Sequence, residues 1–248
     1  MCEEPGQRNR SNINNYGYQP RRNEFFLGSS LSSAVKMLLA WNVILFLVQQ
    51  LVGAPPGELS WMEAYLGLRP YWVWHGWIWQ LVTYMFLHGG WLHILFNMLA
   101  LWMFGSELEY LWGTRRFVKY YFFTGIGAGI TTAVVTPHAF NPTIGASGAI
   151  YGLLLAYGVI YPNRHILLYF LFHIRAKYFV ILFGLIELFA GFTASHTGIA
   201  HFAHLGGLFF GWIYLKGFPG QRTFRRWQRD RKLRKFRVVD FRDLDDRR

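Results

Sequence analysis

Six stretches of this chain are so apolar that their backbones have one way to satisfy themselves, as helices in a membrane. They cover residues 33–51, 92–111, 117–135, 147–161, 178–194 and 198–215. A bilayer core about 30 Å thick takes roughly 20 mostly apolar residues per helix. Inside it every N–H and C=O must pair within its own segment. The fourth stretch is too short for a lipid-exposed span, so it is expected in the middle of a bundle, where neighbours replace lipid and water can reach its end. Only 15% of the residues are charged and 53% are hydrophobic, against about 25% charged in a soluble domain. That balance excludes a disordered chain, a collagen-like fibre and a disulfide scaffold, and argues against an ordinary soluble enzyme. The single cysteine, Cys2, has no internal partner. The expected fold class is an all-α membrane protein, a six-transmembrane-helix bundle with a long interfacial first loop.

Basic residues set the orientation, because cytoplasmic links are the ones enriched in Lys and Arg. Arg8, Arg10, Arg21, Arg22 and Lys36 lie before or at the first stretch, and Arg115, Arg116 and Lys119 between the second and third. Arg164, Arg175 and Lys177 separate the fourth from the fifth, and Lys216 with the basic tail follows the sixth. The alternate links carry Arg69 alone. Both termini are therefore expected in the cytoplasm, as an even number of spans also requires. Residues 1–32 have no apolar period and no signal-peptide core, and read as a flexible cytoplasmic segment. Residues 33–218 form the membrane domain, and residues 219–248 a basic cytoplasmic tail. The net charge of +12 is concentrated in that tail. It suits anionic lipid, at about 1 kcal/mol per basic residue near the surface, better than nucleic acid, for which no module is present.

The first link, residues 52–82, holds Trp61, Trp72, Trp74, Trp77 and Trp79 with Tyr65 and Tyr71. Such residues gather at headgroup depth, so the link is expected to lie in the outer interface.

Polar side chains inside apolar spans are functional candidates because burying them is costly. Here they are His88, His93, Asn97, Ser147, Glu187, His201 and His204. Ser147 opens the short fourth helix between Gly145 and Gly148. A helix start offers unpaired N–H groups and partial positive charge, suited to an oxyanion beside the hydroxyl; the alternative use is an N-cap. Because Gly148 directly follows the serine, this is not the G-x-S-x-G elbow. His204, Gly207 and Gly211 share one face of the sixth helix, and Gly148 and Gly152 form a matching pair on the fourth. Small residues four apart let membrane helices come close. If these faces meet, His204 can take the proton of Ser147; otherwise it is a packing histidine. His93 and Asn97, four residues apart, suit donors aimed at developing negative charge or hydrogen bonds between helices. His88 is expected to hold its loop in place, and His201 to sit in water at the outer end of its helix.

The segments His-Gly-Gly-Trp-Leu-His-Ile-Leu-Phe-Asn at 88–97, Gly-Ala-Ser-Gly at 145–148 and Ala-His-Leu-Gly-Gly at 203–207, in this order, resemble the rhomboid intramembrane serine proteases. The resemblance runs over about residues 33–215 and includes Tyr-Pro-Asn-Arg at 161–164. It implies Ser147 as nucleophile and His204 as general base. His93, Asn97 and the Ser147 backbone N–H would form the oxyanion site. Tyr151 would pack on the His204 ring, and Gly145, Gly148, Gly207 and His88 would support the site. The family's Trp-Arg loop pair stands here as Trp79-Gln80.

A dyad without a carboxylate is adequate, since a carboxylate in an apolar pocket is expensive to ionise. Glu187 matches no role that the resemblance carries. It reads as structural, bonded to a neighbouring helix or steadying the fifth helix, beside which substrate would enter. No cofactor is implied. No metal is expected either, because His93, His201 and His204 have neither an HExxH motif nor an accompanying carboxylate. The expected function is an endopeptidase of single-pass membrane proteins in a prokaryotic plasma membrane. The alternatives are an inactive relative that binds membrane proteins, or a small transporter using the histidines as a proton path.

Overall fold

The computed structural model describes residues 30–54, 58–168, 172–193 and 198–217. Cys2, most of the polar segment 1–32 and the basic tail 219–248 lie outside the described residues. The elements follow in order: α1 (Ser33–Val52), α2 (Trp61–Leu66), α3 (Pro70–Trp74), α4 (Gln80–Thr83), a 3-10 turn (Tyr84–Phe86) and α5 (Trp91–Ala100). A π turn (Leu101–Gly105) then leads into α6 (Ser106–Trp112), α7 (Thr114–Val135) and α8 (Ser147–Ile160). Last come β1 (His165–Leu168), β2 (Phe172–Arg175), α9 (Ala176–Thr193) and α10 (Gly198–Gly217).

Each apolar stretch is helical, and the outward faces stay apolar. Trp41, Ile44 and Leu47 on α1, Leu92, Leu95 and Phe96 on α5, and Ile181, Leu185 and Phe189 on α9 are all exposed. Apolar surface on this scale marks contact with a membrane or a partner rather than water. By length and hydropathy alone, among the described residues, α1 qualifies as a span, and so does the bent pair Gln80–Phe86 plus Trp91–Trp112. The central α8 is apolar too but, at 14 residues, is shorter than a full span.

Those small residues decide the packing of the centre. A Cβ on Gly207 would collide with the Gly148 carbonyl, and one on Gly211 would come within 3.3 Å of the Gly152 Cα. On its other side Gly148 lies against Ala128 of α7, and Gly152 against Thr124. Helices α7, α8 and α10 therefore pack closely against one another, with Gly206 of α10 also resting on the Cα of Ala128 in α7.

One link differs from expectation. The chain between α8 and α9 contains an antiparallel strand pair, with His165 opposite Arg175 and Ile166 opposite Ile174, so the fold is not purely α. Its ends are tied by Ala176 N donating to Arg164 O (2.8 Å) and Lys177 N to Pro162 O (3.2 Å). The short apolar run behind Pro162 and Asn163, ambiguous between helix and strand by its sequence, pairs as strands. The first link is itself structured. Helix α2 starts on a capping box between Ser60 and Glu63, and Trp77 stacks on Tyr65, Trp72 and Trp79. Fully buried Gln80 anchors it. Its Oε1 accepts from Arg69 N (3.0 Å) and its Nε2 donates to Tyr65 O (3.2 Å), while Trp79 Nε1 donates to the same carbonyl (2.9 Å). An uncharged amide, through its oxygen and one N–H, thus holds the loop beside Trp79.

At the start of α1, the Glu109 carboxylate accepts from the backbone N–H groups of Ala34 and Val35. It also accepts from the hydroxyls of Ser32 (2.5 Å) and Thr114 (2.7 Å). A negative group at a helix N-terminus satisfies orphan donors and opposes the helix dipole. This cap ties α1 to α6 and α7. Nearby, Glu107 pairs with Arg164.

Candidate active site

Ser147 is the first helical residue of α8. The cap position is Ala146, and no side chain caps the helix. The capping alternative for Ser147 is thereby excluded. Its Oγ lies 2.7 Å from Nε2 of His204 instead. The approach follows from the glycine contact, since Gly207 is one turn from His204 and rests on Gly148, next to Ser147. With the hydroxyl donating to Nε2, the imidazole carries its own proton on Nδ1.

Gly145 has φ +127°, a conformation that side chains resist, and a Cβ there would come within 2.8 Å of Nε2 of His93. Glycine is needed here on both counts. His93 Nδ1 accepts from Gly89 N (3.2 Å), so its proton sits on Nε2, the atom facing the Gly145 turn beside Ser147. The first-turn N–H groups of α8 precede any intrahelical acceptor, which puts a second set of donors at the same place. Asn97 is buried, and its Nδ2 donates to the His93 carbonyl (3.1 Å). One of its two amide protons is thus committed to its own helix.

His88 works differently from expectation. Its loop is held through the backbone, with His88 N donating to Gln49 Oε1 (3.0 Å) and Gln49 Nε2 donating to His88 O (3.4 Å). The buried ring lies edge-on to His93 at 5.1 Å. The sequence offered no signal for Gln49, because an amide in an apolar span has no fixed partner.

The Tyr151 ring stacks on His204 with centroids 4.3 Å apart and planes 8° from parallel. Its hydroxyl donates to Glu187 Oε1. The other oxygen of Glu187 is 2.5 Å from His201 Nδ1, and Oε1 is 3.0 Å from His204 Nδ1. Two expectations fall here. His201 is not simply a water-facing histidine, and a carboxylate does accompany the histidines. Glu187, His201 and His204 bring their ligand atoms within 4.8 Å of one another, a donor set of the composition that holds zinc in some enzymes. Glu187 stands out in the sequence as a lone acid in an apolar span, but nothing there places it on the face of α9 that meets α8 and α10.

The match to known proteins covers the same ground. The Rhomboid domain model matches residues 75–219, more than half of the chain. The chain belongs to the rhomboid family, and so is an integral membrane protein. It is 39% identical over 137 residues to "Rhomboid protease GluP" of Bacillus subtilis, covering 54% of this chain and 25% of that protein. It is 31% identical over 145 residues to "RHOMBOID-like protein 5" of Arabidopsis thaliana (55% and 44% covered). With "RHOMBOID-like protein 6, mitochondrial" of the same plant it shares 29% over 207 residues (80% and 54%). The chain spans between about a quarter and about half of the length of these relatives.

Proposed function

We propose that this protein is an intramembrane serine endopeptidase that cleaves single-pass membrane proteins near the outer boundary of the bilayer. The observation that carries the reading is the 2.7 Å contact between Ser147 Oγ and His204 Nε2 in a chain of the rhomboid family. Six helices span the membrane in this reading, with both termini in the cytoplasm of a prokaryotic cell and the basic tail against anionic headgroups.

The chemistry runs in two halves. Ser147 Oγ attacks the scissile carbonyl carbon while its proton passes to Nε2 of His204. The oxyanion is met by the His93 Nε2 proton, the first-turn N–H groups of α8 and the second amide proton of Asn97. Removing one such donor typically costs about 10²–10³ in kcat. His204 then gives its proton to the leaving amine, and the C–N bond breaks to leave an acyl group on Ser147. Water attacks that ester, His204 takes its proton, and Ser147 is released with it. Tyr151 holds the imidazole plane through both halves.

The test is cleavage of a model single-pass substrate by purified protein in detergent. Wild type is compared with Ser147→Ala and His204→Ala, with fluorophosphonate labelling of Ser147 as a second readout. Both variants are expected to lose cleavage, and labelling is expected to require Ser147. Cleavage at the wild-type rate in both variants overturns the dyad, and no cleavage by the wild type leaves a binding protein or transporter.

A further inference from the structure

We infer that Glu187 is the positioning carboxylate of His204, so that this chain carries a Ser147–His204–Glu187 triad in place of the carboxylate-free dyad its motifs imply. The inference rests on the serine-protease reading above and deepens it.

The geometry has three parts. Ser147 donating to Nε2 requires the proton on Nδ1, and the atom facing Nδ1 is Glu187 Oε1 at 3.0 Å. A carboxylate there favours that tautomer over the one that cannot accept from serine. When His204 takes the serine proton, the imidazolium forms beside a negative charge already in place. In the resting state the Nδ1 proton is not aimed in line at the oxygen, as is common before substrate tightens a catalytic site.

Second, Glu187 is itself held at both ends. Tyr151 donates to Oε1, and His201 Nδ1 to Oε2 at 2.5 Å. These bonds come from α8 and α10, the two helices that carry the reacting pair, while Glu187 comes from α9. Tyr151 therefore acts on His204 twice, through the stacked ring and through the carboxylate. His201 supplies a hydrogen bond that offsets part of the cost of burying the carboxylate in an apolar bundle, which answers the objection that such a group is too costly.

Third, the alternative use of the cluster, as a metal site, fits the distances less well. Ligand atoms around a tetrahedral ion with bonds of 2.0–2.2 Å stand about 3.3 Å apart. The His201–Glu187 separation of 2.5 Å is that of a shared proton, with no room for an ion between.

The experiment measures kcat and KM separately in the detergent cleavage assay for wild type, Glu187→Gln, Glu187→Asp and His201→Ala, with Ser147→Ala as control. Gln keeps the size and one acceptor but removes the charge. A merely structural tie to Tyr151 survives it. The expected result is a kcat lowered 10- to 100-fold in Glu187→Gln with KM unchanged, and a smaller loss in Glu187→Asp, which keeps the charge. His201→Ala, which leaves Glu187 in place but loosened, is expected to lower kcat 3- to 10-fold, and it carries the test should Glu187→Gln not fold. A Glu187→Gln kcat within twofold of wild type, or one at or above that of Glu187→Asp, overturns the inference. So does wild-type kcat in a folded His201→Ala, or loss of wild-type activity on treatment with EDTA, which would reassign the cluster to a metal. Persistent cleavage by Ser147→Ala would instead sink the protease reading itself, so the two failures are told apart.

Discussion

Glu109 and Glu187 are both buried carboxylates in an apolar bundle, 4% and 7% exposed, yet their surroundings could hardly differ more. Glu109 is met by two backbone N–H groups and two hydroxyls at the start of α1. None of these donors titrates near neutral pH, and the charge also opposes the helix dipole, so the arrangement is static and joins elements. Glu187 is met by a phenol and two imidazoles, groups that can themselves gain or lose protons, and one of them holds the candidate nucleophile. The same functional group is a rivet where its partners are fixed donors and, in the proposed triad, a guide for the base where they are not. What surrounds a buried charge says more about its use than the burial does.

That contrast can be broken from either side. The largest effect is expected at the reactive end. His204→Ala should lower cleavage by about 10³-fold or more, roughly 4 kcal/mol of transition-state stabilisation, while the thermal midpoint moves far less than it does for changes at Glu109. A cleavage rate within tenfold of wild type would break the comparison there. Next comes Glu109→Ala, which strands buried donors at the α1 start and should cost about 2–4 kcal/mol of stability in denaturation measurements. The kcat of the folded fraction should be unchanged. A fall in kcat matching that of His204→Ala would mean that the two carboxylates are not divided by role. Tyr151→Phe keeps the ring stack and removes one bond to Glu187, so kcat should drop about 3- to 10-fold, near 1 kcal/mol, with little change in unfolding. The smallest effect is Ser32→Ala, which removes one of the Glu109 donors. It should lower stability by about 1 kcal/mol, with cleavage kinetics identical to wild type.

Much of this arrangement can be read before any coordinates. The helices fall on the apolar stretches because a run of that length and polarity satisfies its backbone internally or not at all. The glycine spacing on α8 and α10 already says which faces can meet, since small residues one turn apart are useful only where another backbone comes close. Ser147 and His204 stand beside those glycines, so their meeting is nearly a consequence. Other features leave no such trace. The short strand pair after α8 comes from an apolar run whose length alone does not separate strand from helix. Gln80 anchors the first loop through a backbone N–H and a carbonyl that any residue would supply, and Glu109 reaches donors more than seventy positions away. His201 and Glu187 are individually visible as polar residues in apolar spans, but their pairing depends on how α9 is rotated against α10.

Sequence by itself therefore determined the helices, the family and the chemistry available at two of them, because hydrophobic period and glycine spacing act locally along the chain. Tertiary structure alone decided which groups each buried carboxylate meets. A hydrogen bond between distant helices depends on their rotation and register, and those are set by the packing of the whole bundle rather than by any one segment.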